Sequence, residues 1–189
     1  MSERLHIVMP FTRPGNLDRL AQYYLVDMES HPFELRWHLM VQGPEPDPKG
    51  LNKVNEALRM FNTGWVWAPS DDAIHERELF RRLSEVAQVH PAAGAIVFSE
   101  RRRGVIPWTG QPWPSGEGVL RACPAEMHPC HIDGSQVFFR AELLRGIQLD
   151  TRRWPGEADG HFIVEVYKRF PLRFIFVDEP LIKFNSLEW

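Results

Sequence analysis

Short apolar runs, each ended by proline or glycine and each followed by a helical pattern, constrain this chain more than any other feature. Leu5-His6-Ile7-Val8-Met9 suits a buried strand and is too short for a core helix; Pro10 and Pro14-Gly15 end it. Asn16 can cap the helix that follows, in which Leu17, Leu20, Tyr24 and Met28 share one face. Leu35–Val41 reads as a second strand, closed by the turn-rich residues 43–50. Val54, Leu58 and Phe61 predict a helix over 51–61, and Trp65–Ala68 a third strand. His75–His90 is the clearest helical pattern, with Leu79, Leu83 and Val86 as its stripe. Ala95–Phe98 is a fourth strand. Ile132–Phe139 is apolar again, Ala141–Gly146 reads as a short helix, and Ala158–Phe170 as a longer one. Leu172–Val177 and Pro180–Phe184 close the chain with one or two strands. This alternation predicts an α/β sheet protein.

Composition narrows the functional classes. The 189 residues are enough for one well-buried domain, and the 12% aromatic content excludes disorder as the main state. A net charge of −3 speaks against a nucleic-acid or membrane coat. No apolar run approaches the ~20 residues that span a bilayer, and the N-terminal apolar stretch is too short for a signal peptide. Two cysteines make no disulfide framework. The expectation is a soluble, cytoplasmic protein with no nucleic-acid partner and no transmembrane segment.

Two acidic motifs carry candidate chemistry. Ser70-Asp71-Asp72 follows the third strand directly, and ligands of open α/β sheets bind outside the carboxyl ends of the strands. A carboxylate there can ligate a hard divalent cation whose other positions are filled by water and phosphate. The plainer alternative is that Ser70 or Asp71 caps the His75 helix. Glu157-Ala158-Asp159-Gly160-His161 opens the late helix, where a carboxylate can serve as a general base or simply favour the helix N-terminus.

In their order along the chain these pieces resemble the nucleotide-sugar-dependent glycosyltransferases of the GT-A fold, particularly family 2 and its small relatives. Ile7–Arg13 is similar to their first strand and donor-binding turn, Leu35–Val41 to the second strand, and Leu51–Leu58 to the segment carrying an Asn. Gly64–Asp72 resembles the strand entering the Asp-x-Asp motif, and Ile132–Arg140 the strand leading to the acceptor side. Ala158–Phe162 falls where that family has Glu-Asp followed by an apolar helix. The resemblance spans roughly residues 5–185 and implies a transferase, of hexosyl or related groups, that moves a sugar from a nucleotide-diphosphate donor to a hydroxyl acceptor with inversion. It implies a single compact GT-A-like α/β domain, with a mostly parallel, Rossmann-like central sheet flanked by helices, in which residues 1–100 are the nucleotide-sugar half, 101–131 a flap and 132–189 the acceptor side.

By position, Asp159 corresponds to the catalytic base. Asp72, with Asp71 beside it, corresponds to the ligands of a divalent Mn or Mg ion, and His161 could face the same ion. Thr12, Arg13, Gln42, Asn55, Ser70 and Asp71 fall at donor-binding positions, and Arg13 and Lys53 near phosphate. Three positions depart from the family pattern. Ser70 replaces the first Asp of Asp-x-Asp, Gln42 stands where a base-reading Asp is usual, and Ala158 replaces the Glu before the base. A non-catalytic GT-A-like binding or scaffold protein is therefore an alternative. A nucleotidyltransferase is a further one, although Pro10–Gly15 is a poor triphosphate loop.

Residues 101–129 have little periodicity and read as a long surface loop. Trp108 and Trp113 there, and Trp154 further on, suit either sugar stacking or loop anchoring. Arg101-Arg102-Arg103 reads as a solvated turn or a phosphate contact. Cys123, His128, Cys130 and His131 pack soft-metal donors into nine residues, but the spacing is unusual for zinc and two free thiols are the plainer reading. At this length the acceptor elements must come from the 101–131 loop and the Trp154 segment, or from a second copy or a partner subunit.

Overall fold

Alternation within the strands divides the apolar side chains between two helical layers. The computed structural model describes residues 3–11, 13–25, 32–41, 51–147 and 158–184. The strands are β1 (Glu3–Phe11), β2 (Phe33–Val41), β3 (Trp65–Trp67), β4 (Ile74–His75), β5 (Ala95–Val105), β6 (Pro112–Leu120), β7 (Val137–Arg140) and β8 (Phe174–Phe184). The α-helices are α1 (Leu17–Leu25), α2 (Leu51–Leu58), α3 (Leu79–Val89) and α4 (Ala158–Arg169). Trp65 and Trp67 point to one face of the sheet, where they pack with Leu20 and Tyr24 of α1 and Phe80 and Leu83 of α3. Val66 between them points to the other face and packs with Val54 of α2 and Phe162 and Val166 of α4. The result is a three-layer α/β sandwich.

The strand order is β2-β1-β3-β7-β5-β8-β4, with β6 paired to the outer half of β5. β1 is parallel to β2 and β3, and β5 is parallel to β8. β7 enters antiparallel between β3 and β5, and β4 and β6 are antiparallel to their partners. The α/β class is as expected, but the sheet is mixed rather than mostly parallel. Runs of apolar residues mark strands without marking their direction, which the connections set.

Two local expectations change, and one that was open is settled. His75 belongs to the short strand β4 on the edge of β8, and α3 begins only at Leu79, with Glu78 at its N-cap position. Asp71 and Asp72 are therefore not helix caps. Residues 101–120 form the outer part of a β-hairpin instead of an irregular loop, twisted by a bulge between Arg103 and Val105. The closing segment is one strand whose pairing with β5 shifts around Pro180. No helix among the described residues is long and apolar enough to cross a membrane.

The β1–β2 end holds a histidine pair. His6 Nδ1 lies 3.2 Å from His38 Nε2, and the His6 ring stacks on Phe61 at 4.0 Å. Burial, with the nearby His38, Arg4 and Arg36, pushes the His6 imidazole down to about 4. The unfolded chain takes up this proton below about pH 6.5 while the folded chain refuses it. Stability is then full above pH 6.5 and falls as the pH drops toward 4, by about 3 kcal/mol from this group. Urea unfolding between pH 4 and 7 measures that loss, and His6→Gln is expected to flatten the acid limb.

Candidate active site

The carboxyl end of β3 delivers Ser70, Asp71 and Asp72 into a dense hydrogen-bond network. Asp71 is almost fully buried, and its carboxylate accepts both the Arg13 backbone N–H and Arg13 Nη1 at 2.7 Å. Its backbone carbonyl accepts Asn16 Nδ2 at 2.9 Å. The same Arg13 Nη1 lies 2.9 Å from Asp72 Oδ2, while the Ser70 hydroxyl donates to Asp72 Oδ1. Burial is the main reason that the Asp72 carboxyl sits above the usual range. Ser70 and Arg13 oppose that shift, and the charges of Asp71 and Asp133 add to it.

The opposite wall comes from the turn before β7 and the first turn of α4. Asp133 caps a 3-10 turn over Gly134–Gln136. Its carboxylate accepts the Ser135 N–H at 2.9 Å, and its own N–H donates to Gln136 Oε1 at 3.0 Å. The free N–H of Gly134 donates to Asp159 Oδ2 at 3.0 Å. Burial and the Asp133 charge raise the Asp159 carboxyl to about 6, against donation from backbone N–H groups at Gly134 and the start of α4. α4 can come this close because its next residue is Gly160, where a Cβ would fall 2.0 Å from the Pro129 carbonyl oxygen.

β5 supplies the floor. Arg102 Nη2 is 3.5 Å from Asp133 Oδ2, and its guanidinium lies 3.8 Å above the Phe184 ring. Glu100, two residues earlier, is completely buried, and neither carboxylate oxygen has a hydrogen-bond partner; Arg102 Nη1 is 3.8 Å away. Burial holds its carboxyl well above the carboxylate range, reinforced by Asp133, Asp159 and Asp72 and opposed by Arg102.

Arg13, Ser70, Asp71, Asp72, Asp133 and Asp159 all line one cavity of about 280 Å³, whose inner end is apolar and includes Val54, Phe139 and Phe162. The two motifs that stand far apart in sequence thus share a pocket. Thr12, Gln42, Glu157 and Trp154 lie outside the described residues. Asn55 is half-buried on α2 beside Val54 and is not among the lining residues, and neither is His161. Positions two apart in a helix point in roughly opposite directions, so Asp159 and His161 diverge. Arg13 is held by the two aspartates instead of standing free for phosphate.

Among the described residues no three His, Cys, Asp or Glu side chains converge to cage a metal. Cys123 and Cys130 form no disulfide, and His131 Nδ1 pairs with Glu126 at 2.6 Å, so the zinc-knuckle alternative finds no geometry among the described residues. The oxygen donors at Asp71 and Asp72 do suit a hard cation held by one or two carboxylates and completed by phosphate oxygens. Asp72 Oδ2 is buried and makes no well-directed hydrogen bond.

No family model matches the chain, and no curated protein matches it. Solved structures do. S. aureus TarS superposes with a TM-score of 0.60 at 12% identity, over 95% of this chain and 36% of that one. The mannosyltransferase PcManGT from Pyrobaculum calidifontis, in complex with GDP-Man and Mn2+, gives 0.57 at 18% identity, over 97% and 57%. A glycosyltransferase involved in glycosylating the major capsid of PBCV-1 gives 0.50 at 11%, over 96% and 92%. The fold is that of the GT-A glycosyltransferases. The chain spans 36–61% of the length of the TarS chains it matches, one of which was solved as residues 1–349 in complex with UDP-GlcNAc.

Within this GT-A-like fold, Glu100 is the buried polar group that sequence reasoning did not single out, and Arg102 is named there only within the Arg101-Arg102-Arg103 run. The signal was present in strand alternation. If Ala95–Phe98 is extended to Val105, Glu100 and Arg102 share a face and Arg101 and Arg103 take the other. The folded chain keeps a Glu100 proton that the unfolded chain sheds above its ordinary value of 4.5, so this residue lowers stability as pH rises from there. Glu100→Gln keeps the shape and removes the titration. The difference in Tm between variant and wild type is expected to grow in the variant's favour from pH 5 to pH 8, and a pH-independent difference would contradict it.

Proposed function

We propose that this chain transfers a sugar from a nucleotide-diphosphate donor to a hydroxyl acceptor, with inversion at the anomeric carbon. The observation that carries the reading is the single cavity joining Asp71 and Asp72 to Asp159, with Asp159 held by the Gly134 N–H at 3.0 Å. Nucleotide sugars in the TarS and PcManGT structures support the donor class, and Mn2+ in the latter supports a cation.

In this reading Asp159 is the general base. The acceptor oxygen attacks the anomeric carbon as the bond from that carbon to the diphosphate oxygen breaks, and Asp159 takes the hydroxyl proton. A carboxyl raised to about 6 is mostly ionised near neutral pH and yet a stronger base than an ordinary aspartate. Asp72, with Asp71, would hold the divalent cation, which supplies charge to offset the departing diphosphate. The half-exposed Arg13 would then release one or both aspartates and turn toward phosphate, so its positive charge stays in the site. His161 is left out of the cation's ligand set because it diverges from Asp159 along α4. The acceptor side falls to the segment around His131 and the β5–β6 hairpin.

The test is nucleotide release from UDP-GlcNAc and GDP-Man, with titration of UDP, GDP, CDP and TDP in the presence and absence of Mn2+. Asp159→Asn is expected to lower turnover about 100-fold or more while nucleotide binding persists. Wild-type turnover should fall on the acid side with a midpoint near pH 6. Asp72→Ala should lose Mn2+-dependent nucleotide binding. If no nucleotide binds with or without Mn2+, a non-catalytic binding protein is the better reading.

A further inference from the structure

The hairpin carries two tryptophans in different situations. Trp113 lies flat on β6, where a Cβ at Gly118 would come within 2.2 Å of the Trp113 ring. Gly118 is the cross-strand partner of Arg102, and partners in register project to the same face of a sheet. Trp113 therefore occupies the hairpin face from which Arg102 reaches Asp133, the face turned toward the cavity. Trp108 stands at right angles to Trp113, with ring centroids 6.0 Å apart and planes at 87°. Its other neighbour is His131, centroid to centroid 4.1 Å.

Trp113 anchors the arm, whereas Trp108 is held on two sides and still 44% exposed. Its turn is fixed as well. Ile106 N–H donates to the Gln111 carbonyl at 2.8 Å, the Thr109 and Gly110 N–H groups donate to the Ile106 carbonyl, and Gly110 has φ +68°. An indole that is preset yet left facing solvent is more than a hairpin needs for stability. Its surroundings are polar: His131 pairs with Glu126, and the His128 ring lies 5.4 Å from His131. The chain links this cluster to the base by a short path. His131 is two residues, at most about 7 Å of backbone, from Asp133. Pro129, just before His131, packs on Gly160, and the segment leads on to the Gly134 N–H that holds Asp159.

We propose that the exposed face of Trp108 is a platform for a carbohydrate acceptor, with His131 and Glu126 at its edge to receive the sugar's hydroxyls. A pyranose matches this arrangement because its C–H face is apolar and its rim is hydroxylated. A protein partner fits less well, since a single indole beside charged groups falls far short of the ~800 Å² per partner of a stable interface. The inference deepens the transferase reading and rests on it for the sugar's role as acceptor.

Saturation-transfer NMR on the full chain tests it, with the methyl β-glycosides of glucose, galactose, mannose and N-acetylglucosamine and the β-linked disaccharides cellobiose and chitobiose as probes. At least one probe is expected to bind, receiving saturation on the C–H protons of one ring face. Trp108→Ala should weaken that probe about tenfold, and Trp108→Phe should restore most of the binding. Thermal unfolding verifies that both variants fold. The platform is overturned if Trp108→Ala binds as wild type does, or if no probe binds wild-type chain that binds UDP or GDP. It is also overturned if no probe binds and Trp108→Ala converts a dimer to a monomer, which would make this face a contact between copies. Trp108-dependent glycoside binding without any nucleotide binding would keep the platform and remove the transferase reading.

Discussion

The 3-10 turn over Gly134–Gln136 is the joint on which the candidate site depends. Trp67 Nε1 donates to the Ser135 carbonyl at 2.6 Å, which ties the turn to β3 just before Asp71 and Asp72. Gln136 Nε2 donates to the carbonyls of Phe98 and Leu120, both at 3.2 Å, which ties it to β5 and the end of the hairpin. Gly134 ties it to Asp159. Buried donors and acceptors must find partners, so a turn with this many obligations has few alternative positions. Its rigidity passes to four elements at once, and each carries one part of the site.

The electrostatics follow from that crowding. Asp71, Asp72, Asp133, Asp159 and Glu100 approach one another with Arg13 and Arg102 as the nearby cations. Among the described residues, these two guanidinium groups do not balance five ionised carboxylates, and burial makes the imbalance costlier. The site resolves it by keeping Glu100 protonated and raising Asp72 and Asp159, while Asp71 is held by both the backbone N–H and side chain of Arg13. A cation held by Asp71 and Asp72, as proposed above, would offset repulsion of this kind.

How much of this was legible differs by residue. The strand before Asp71 and Asp72 was readable because Trp65–Trp67 is flanked by Gly64 and Pro69, and Asp159 was readable from the apolar helix behind it. Their meeting in one cavity was not readable from spacing, since 87 residues separate Asp72 from Asp159. Only the resemblance in element order suggested it. Asp71 is no helix cap because Ile74 and His75, which continue the helical periodicity in sequence, pair with the β8 edge instead, a tertiary pairing with no local signature. The hairpin escaped because Pro112, Pro114, Gly116 and Gly118 break every pattern that marks a strand, and its partner strand is dominated by charge. Glu100 is the hardest case. Alternation places Glu100 on the same strand face as Arg102, yet its burial is a property of what lands on that face.

Mixed strand direction is what lets the parts arrive together. β3 and β5 run the same way, so the ends bearing Asp72 and Arg102 emerge on the same side of the sheet. β7 runs oppositely between them, so its beginning, the Asp133 turn, emerges there too. An all-parallel sheet would place a strand's end, not its start, at that point, and the segment from Trp108 to His131 would have to cross the site to reach it. With β7 reversed, the chain leaves β5 along the hairpin, returns past His131, and enters β7 beside Asp159. The hairpin is thus an excursion that begins and ends at the cavity. Its length can vary without disturbing Asp72 or Asp159, which gives this fold a place to set acceptor contacts apart from the groups proposed to do the chemistry.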